Sequence, residues 1–175
     1  MILVDASTGY DLGMVGELEL LRAFDGDVVV LDAVADAVDV EPAATNLARF
    51  LAEYDVATEP PVDAAPFEAD AAALLADSRP PSDRALVAAL LAARDAAEGE
   101  FQAGLVSDDR RLRAIADGLG ATITGTFGVV VRAAMDDKYF HMTQAKRVIR
   151  RMDQHGLQST GPLRSRAVGA VGDEE

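Results

Sequence analysis

An α/β fold built on a central parallel sheet flanked by helices is the class this sequence predicts. Three observations carry it. Short apolar runs at 2–5, 28–31, 104–107 and 121–124 alternate with longer segments of helical period, the pattern of parallel strands joined by right-handed helical crossovers. Half of the 175 residues are apolar but only 5% are aromatic, so alanine and valine carry much of the interior, as suits helices packed on a sheet. Two of the apolar runs also end in aspartate. Ile2-Leu3-Val4 leads into Asp5, and Gly104-Leu105-Val106 leads through Ser107 into Asp108 and Asp109. The carboxyl ends of parallel strands are where ligands and catalytic groups sit.

The elements follow in order. Residues 2–5 read as a buried strand, with Ser7, Thr8 and Gly9 forming the turn after it. Leu12, Val15, Leu18, Leu20 and Leu21 then recur at helical spacing. Asp25-Gly26-Asp27 introduces the second strand, 28–31. A helix is expected over 33–38, and another over 42–54 after the start signal Glu41-Pro42. Val56 begins a short edge strand, and Pro60, Pro61 and Pro66 mark a surface loop. Residues 67–77 are alanine-rich and helical. Ser82 is expected to cap a helix over 83–98, which Gly99 ends. Strand 104–107 precedes a helix at 109–118, stopped by Gly118 and Gly120. Strand 121–124 leads to helices at 127–135 and 142–154, the last stopped by Gly156. Residues 1–160 thus read as one domain, and 161–175 as a flexible C-terminal tail.

Composition excludes several classes. No cysteine is present, so disulfides, thiolate metal sites and a cysteine nucleophile are ruled out; the chain fits a cytoplasmic setting. No apolar run approaches the roughly 20 residues of a membrane span, and the N-terminus lacks a secretory pattern. The net charge of −14 is uneven: residues 1–100 hold 21 acids and 5 bases, residues 101–175 hold 9 acids and 11 bases. Only two of the sixteen bases are lysine. A lysine-poor acidic surface suits a high-salt cytoplasm and points to a halophile; the alternative is a mesophilic protein with one acidic face. Acidity argues against non-specific nucleic-acid binding at low salt, but leaves room for the basic strip near the C-terminus.

The chemistry centres on carboxylates. If the first and third strands are neighbours, Asp5, Asp108 and Asp109 converge on one crevice, which is costly unless a cation sits there. Each has a purely structural alternative: Asp5 as an Asx-turn residue, Asp109 and Ser107 as helix caps. Asp83, in the first turn of its helix, is ordinary there. Asp32, Asp36, Asp39 and Glu41 form an acidic run of mostly solvated charges. Arg110, Arg111 and Arg113 follow the aspartate pair, while Lys146, Arg147, Arg150 and Arg151 share helical spacing. Both basic groups suit phosphate contact as well as ordinary surface charge. Arg164 and Arg166 lie in the tail. Phosphate-loop and dinucleotide fingerprints are missing. His141 and His155 make no zinc pattern. Ser7 stands where a haloacid-dehalogenase-type phosphotransferase needs its second aspartate, which weighs against that hydrolase class.

These pieces resemble a known family. Val-Asp-Ala-Ser at 4–7 with Gly-Glu-Leu-Glu-Leu-Leu at 16–21 is similar to the opening of PIN-domain nucleases. Val-Ser-Asp-Asp-Arg-Arg-Leu-Arg-Ala-Ile-Ala at 106–116, followed by Leu-Gly-Ala-Thr-Ile-Thr-Gly-Thr-Phe-Gly-Val-Val-Val-Arg-Ala at 119–133, resembles the branch often found as the toxin half of toxin–antitoxin pairs. The resemblance implies a PIN-like three-layer fold and a Mg²⁺- or Mn²⁺-dependent ribonuclease site. Asp5 matches the family's first acid, Asp83 the acid at a helix start, and Asp109 the acid two residues after the hydroxyl of the fourth strand. Asp108 is a neighbour that assists, and Ser7 and Ser107 match hydroxyl positions near the metal. Arg110, Arg111, Arg113, Arg147, Arg150 and Arg151 would hold RNA.

One position departs from the pattern. The family's glutamate after the second strand falls in register with Ala37, and Asp36 is one residue away, about 100° around a helix. Either Asp36 substitutes through a local shift or one ligand is lost. Two readings follow: a metal-dependent endoribonuclease, with a small antitoxin as partner if it is a toxin, or a non-catalytic PIN-like module binding RNA or protein. Dimerisation, common in the family, is a further expectation.

Overall fold

The computed structural model describes residues 1–75, 79–99, 101–136 and 142–155. The expected tail at 161–175, its Arg164 and Arg166, and the Gly156 helix stop lie outside the described residues.

Four parallel strands form the sheet: β1 (Ile2–Val4), β2 (Val28–Val29), β3 (Gly104–Val106) and β4 (Thr122–Thr124), in the order β2-β1-β3-β4. Leu3 pairs with Val29 on one side and Leu105 on the other, and Val4 with Val106. The two aspartate-ending strands are therefore central neighbours in register, and their carboxyl ends lie together. The segment expected to begin at Val56 continues the sheet by a single parallel bridge, Ala57 to Val29. The amides of Val30 and Asp32 donate to Ala57 and Thr58 carbonyls there.

Eight α-helices flank this sheet among the described residues: α1 (Ala6–Val15), α2 (Asp32–Ala37), α3 (Ala43–Glu53), α4 (Glu68–Leu75), α5 (Pro81–Asp95), α6 (Arg110–Leu119), α7 (Thr126–Asp136) and α8 (Met142–Gln154). The arrangement is the predicted three-layer α/β class. Leu3, Val4, Val30, Leu105 and Val106 of the sheet region pack with Leu12, Leu47, Leu86, Leu90, Leu112 and Val129 in one continuous core. No helix among the described residues is long and apolar enough to cross a membrane.

Several boundaries differ from the sequence reading. Ser7, Thr8 and Gly9 are not a turn: they form the first turn of α1, because Asp5 caps it by accepting the Thr8 amide at 2.8 Å. The apolar pattern from Leu12 to Leu21 is split, since α1 ends at Gly16 and Leu18–Ala23 is a 3₁₀ segment. Ser82 is not a cap but a buried residue inside α5, which starts one position earlier at Pro81; proline is tolerated there because a first-turn N–H has no helical partner anyway. That helix ends at Asp95, short of Gly99. Helix α6 runs through Gly118 and ends on Gly120 in the left-handed conformation.

Gly13 explains how α1 and α3 come together. A Cβ there would lie 3.0 Å from Ala43 Cα and 3.1 Å from its carbonyl oxygen, so the two helices touch backbone to backbone. This fixes α1, and with it Asp5, against the rest of the fold.

Candidate active site

Asp5 is the centre of the crevice. It is 3% exposed, at the junction of β1 and α1. Ser7 Oγ donates to its two carboxylate oxygens at 3.0 and 2.9 Å, the Thr8 amide to Oδ1 at 2.8 Å, and Ser107 Oγ to Oδ2 at 2.6 Å. All of these donors are neutral. Burial raises the Asp5 pKa above its ordinary 3.8, although the Ser107, Thr8 and Ser7 hydrogen bonds oppose it. Ser107, at the end of β3, is fully buried. Its hydroxyl also accepts the Asp109 amide at 3.1 Å. One hydroxyl thus ties the ends of the two central strands together.

Asp109 caps α6: its Oδ1 accepts the amides of Arg111 and Leu112, both at 2.8 Å. The capping role considered from sequence is real, and it coexists with a place in the crevice. Asp83 is buried in the first turn of α5. Between these two carboxylates stands Arg79, with Nε 2.9 Å from Asp83 Oδ2 and Nη2 2.7 Å from Asp109 Oδ1. Both nitrogens are buried, and neither is aligned for a proper hydrogen bond. Burial raises the Asp83 pKa; Arg79 opposes the rise, and the charges of Asp109 and Asp5 add to it. Burial pushes Asp109 up too, but Arg79 and the helix amides outweigh it, so its net shift is downward.

A second pair of acids lies on the other side of Asp5. Asp108 is exposed and turns towards α7, where its Oδ2 accepts the Thr126 amide at 3.2 Å. It lies so close over Gly125 that a Cβ there would be 2.2 Å from its Oδ1, so a side chain at 125 would require the Asp108 carboxylate to move. Asp11, on α1, is partly buried, and its pKa is pushed up to about 7 by burial, then by the charges of Asp108 and Asp5. Thr126 Oγ1 donates to Thr8 Oγ1 at 3.1 Å, and Thr8 Oγ1 to the Val106 carbonyl at 3.3 Å, closing the floor of this side. The family model described as a PIN domain matches residues 1–172.

The chain belongs to the PIN-domain family. Neither the curated proteins nor the solved structures give a match.

In this PIN domain the expected acids are brought together with one exception. Asp36, on α2, is exposed, and the negative charges that raise Asp11 and Asp83 come from Asp5, Asp108 and Asp109. The additional carboxylate is Asp11. Its signal was its distance from Thr8: three residues apart on a helix, the two share a face, which is visible only once α1 is known to start at Ala6. Arg79 was also missed: it lies in the segment before α5, so its contacts with Asp83 and Asp109 do not come from a shared helix face.

Among the described residues, no three acidic or histidine side chains are grouped closely enough to hold a metal ion as they stand. The donor chemistry nevertheless fits a hard divalent cation. Carboxylates and hydroxyls are its preferred ligands, Asp5 is a buried carboxylate with only neutral donors, and Arg79 already supplies positive charge at the Asp83–Asp109 pair.

The arginines divide. Arg111 Nη2 donates to the Leu74 carbonyl at 2.6 Å, and Arg113 Nη1 to the Ser107 carbonyl at 3.0 Å. Arg151 pairs with Glu17 at 3.0 Å and donates to the Val15 carbonyl at the end of α1. These three brace the fold. Arg110, Arg147 and Arg150 are exposed. On α8 they stand opposite the buried stripe of Ala145, Val148, Ile149 and Met152 only in the case of Arg147 and Arg150.

Proposed function

We propose that this PIN domain is a metal-dependent endoribonuclease whose site is built on Asp5, Asp83 and Asp109, with Asp108 and Asp11 beside them. The observation that carries the reading is the Ser107 hydroxyl, which joins Asp5 to the Asp109 backbone and so supports both carboxylates acting on one ligand. When bound, Mg²⁺ or Mn²⁺ supplies positive charge to a scissile phosphate and makes water a stronger acid at neutral pH. Asp5, Asp83 and Asp109 are the residues to hold it. Ser7 and Ser107 orient the Asp5 carboxylate. Helices α1 and α6 begin at Asp5 and Asp109, and helix N-termini favour the negative charge of carboxylates and phosphates. Arg110, Arg147 and Arg150 are the bases with which RNA contacts are proposed.

The test is cleavage of a single-stranded RNA with Mn²⁺ or Mg²⁺ at low and high salt, comparing wild type, Asp5→Asn and Asp109→Asn. Each substitution is expected to lower the rate by at least about a hundredfold, the scale on which lost electrostatic stabilisation acts. Cutting that survives both would sink the assignment.

The exposed position of Asp36 favours a second reading, a non-catalytic module that binds RNA or a protein partner. Wild-type protein that retains RNA but never cuts it, across metals and salt, would select that reading. A toxin role with a small antitoxin, a homodimer and a halophilic host are finer proposals. A short antitoxin-like neighbouring gene would support the first of them.

A further inference from the structure

We infer that Arg79 is a built-in competitor of the divalent cation, a guanidinium that holds the Asp83–Asp109 pair and must leave for the metal to bind. The inference rests on the metal-site reading proposed for Asp5, Asp83 and Asp109.

The geometry carries it in three steps. First, Arg79 reaches both carboxylates at once, at 2.9 and 2.7 Å, so it engages the two acids that would hold the cation. Second, the Arg79 guanidinium is the positive group placed between the two carboxylates, the same charge-balancing place a divalent cation would take among hard oxygen donors. Third, Nε and Nη2 each reach a different carboxylate, so neither acid has the two parallel hydrogen bonds of a bidentate guanidinium pair. Such a split contact is easier to exchange for a divalent ion than a bidentate one. Asp109 keeps its place during the exchange because the Arg111 and Leu112 amides hold it independently.

Mn²⁺ affinity measured by calorimetry or by the electron paramagnetic resonance of free Mn²⁺ tests this directly, with no substrate present. Arg79→Ala and Arg79→Gln are expected to bind Mn²⁺ about tenfold more tightly than wild type, equivalent to ~1.4 kcal/mol, and to melt at a lower temperature in EDTA with a larger recovery on adding Mn²⁺. Arg79→Lys, which keeps the charge without the fork, should fall between. Equal or weaker Mn²⁺ binding in both neutral variants would overturn the inference while leaving the metal site intact. If neither wild type nor any variant binds Mn²⁺, the site reading falls, and this inference with it. If Asp5→Asn removes binding from the Arg79→Ala background, both stand on the same ligands.

Discussion

Replacing Ser107 with alanine probes the joint between the two central strands. The hydroxyl donates to Asp5 at 2.6 Å and accepts from the Asp109 amide at 3.1 Å, in a fully buried position. A hydrogen bond to a charged group contributes ~1.5–3 kcal/mol, and a buried amide left without its acceptor costs at least ~1 kcal/mol. The expected loss is about 3 kcal/mol at neutral pH, which for a chain of this length lowers Tm by roughly 6–12 °C. The loss should also depend on pH. Burial already holds the Asp5 pKa above 3.8, so ionised Asp5 opposes folding as pH rises through that window. Removing its strongest hydrogen bond enlarges the penalty for the ionised form only. The gap between Ser107→Ala and wild type, read by urea unfolding in EDTA, should therefore narrow towards pH 4. A constant gap across pH, or one below about 1 kcal/mol at pH 7, would refute a role in holding a charged Asp5.

Two further perturbations have worked signs. Asp11→Asn should stabilise the metal-free protein at pH 8 by about 1–2 kcal/mol, a figure reduced from the full shift because the group is only partly buried. A pKa raised to about 7 means the folded state binds more protons than the unfolded one between pH 4 and 7, so wild-type stability falls across that range. The difference should vanish at pH 4 in thermal melts, and a variant no more stable than wild type at pH 8 would remove Asp11 from the charged crevice. Gly13→Ala should destabilise by about 1–2 kcal/mol because a Cβ meets the Ala43 backbone, an overpacking cost larger than the helix-propensity gain. Gly9→Ala, whose Cβ would meet only side chains at 3.5 and 3.8 Å, should be neutral or stabilising; equal melting temperatures for the two would contradict the backbone contact between α1 and α3.

The sheet was legible because its strands are brief apolar runs with abrupt polar ends, and register alone then placed Asp5 beside Ser107. Asp109 was legible twice over, as a cap and as an acid, since one carboxylate can serve both uses. Asp11 was hidden by a misplaced helix start: with Ser7–Gly9 read as a turn, it had no helix face to share. Arg79 precedes α5 and bridges Asp83 to the sequence-distant Asp109, a contact that helical spacing cannot predict. The arginines show a different limit. Arg111 and Arg151 end on backbone carbonyls of distant segments, and Arg113 on the Ser107 carbonyl just before its own helix; charge spacing along one helix carries no information about such partners. Asp36 stood one residue out of register from the start, and the fold leaves it exposed while Asp11 comes in from α1.

Because Asp5 and Asp109 are each the residue on which a helix begins, folding constrains them apart from any catalytic use. Asparagine caps a helix as well as aspartate does, whereas alanine does not. On the proposed nuclease reading, a lineage that had ceased to cut RNA would still be held by folding alone to capping residues (aspartate, asparagine, serine or threonine) at both places. Drift at these positions would therefore run first from Asp to Asn, and an Asp-to-Asn change among relatives is the mark of relaxed chemistry under continued demand for the fold.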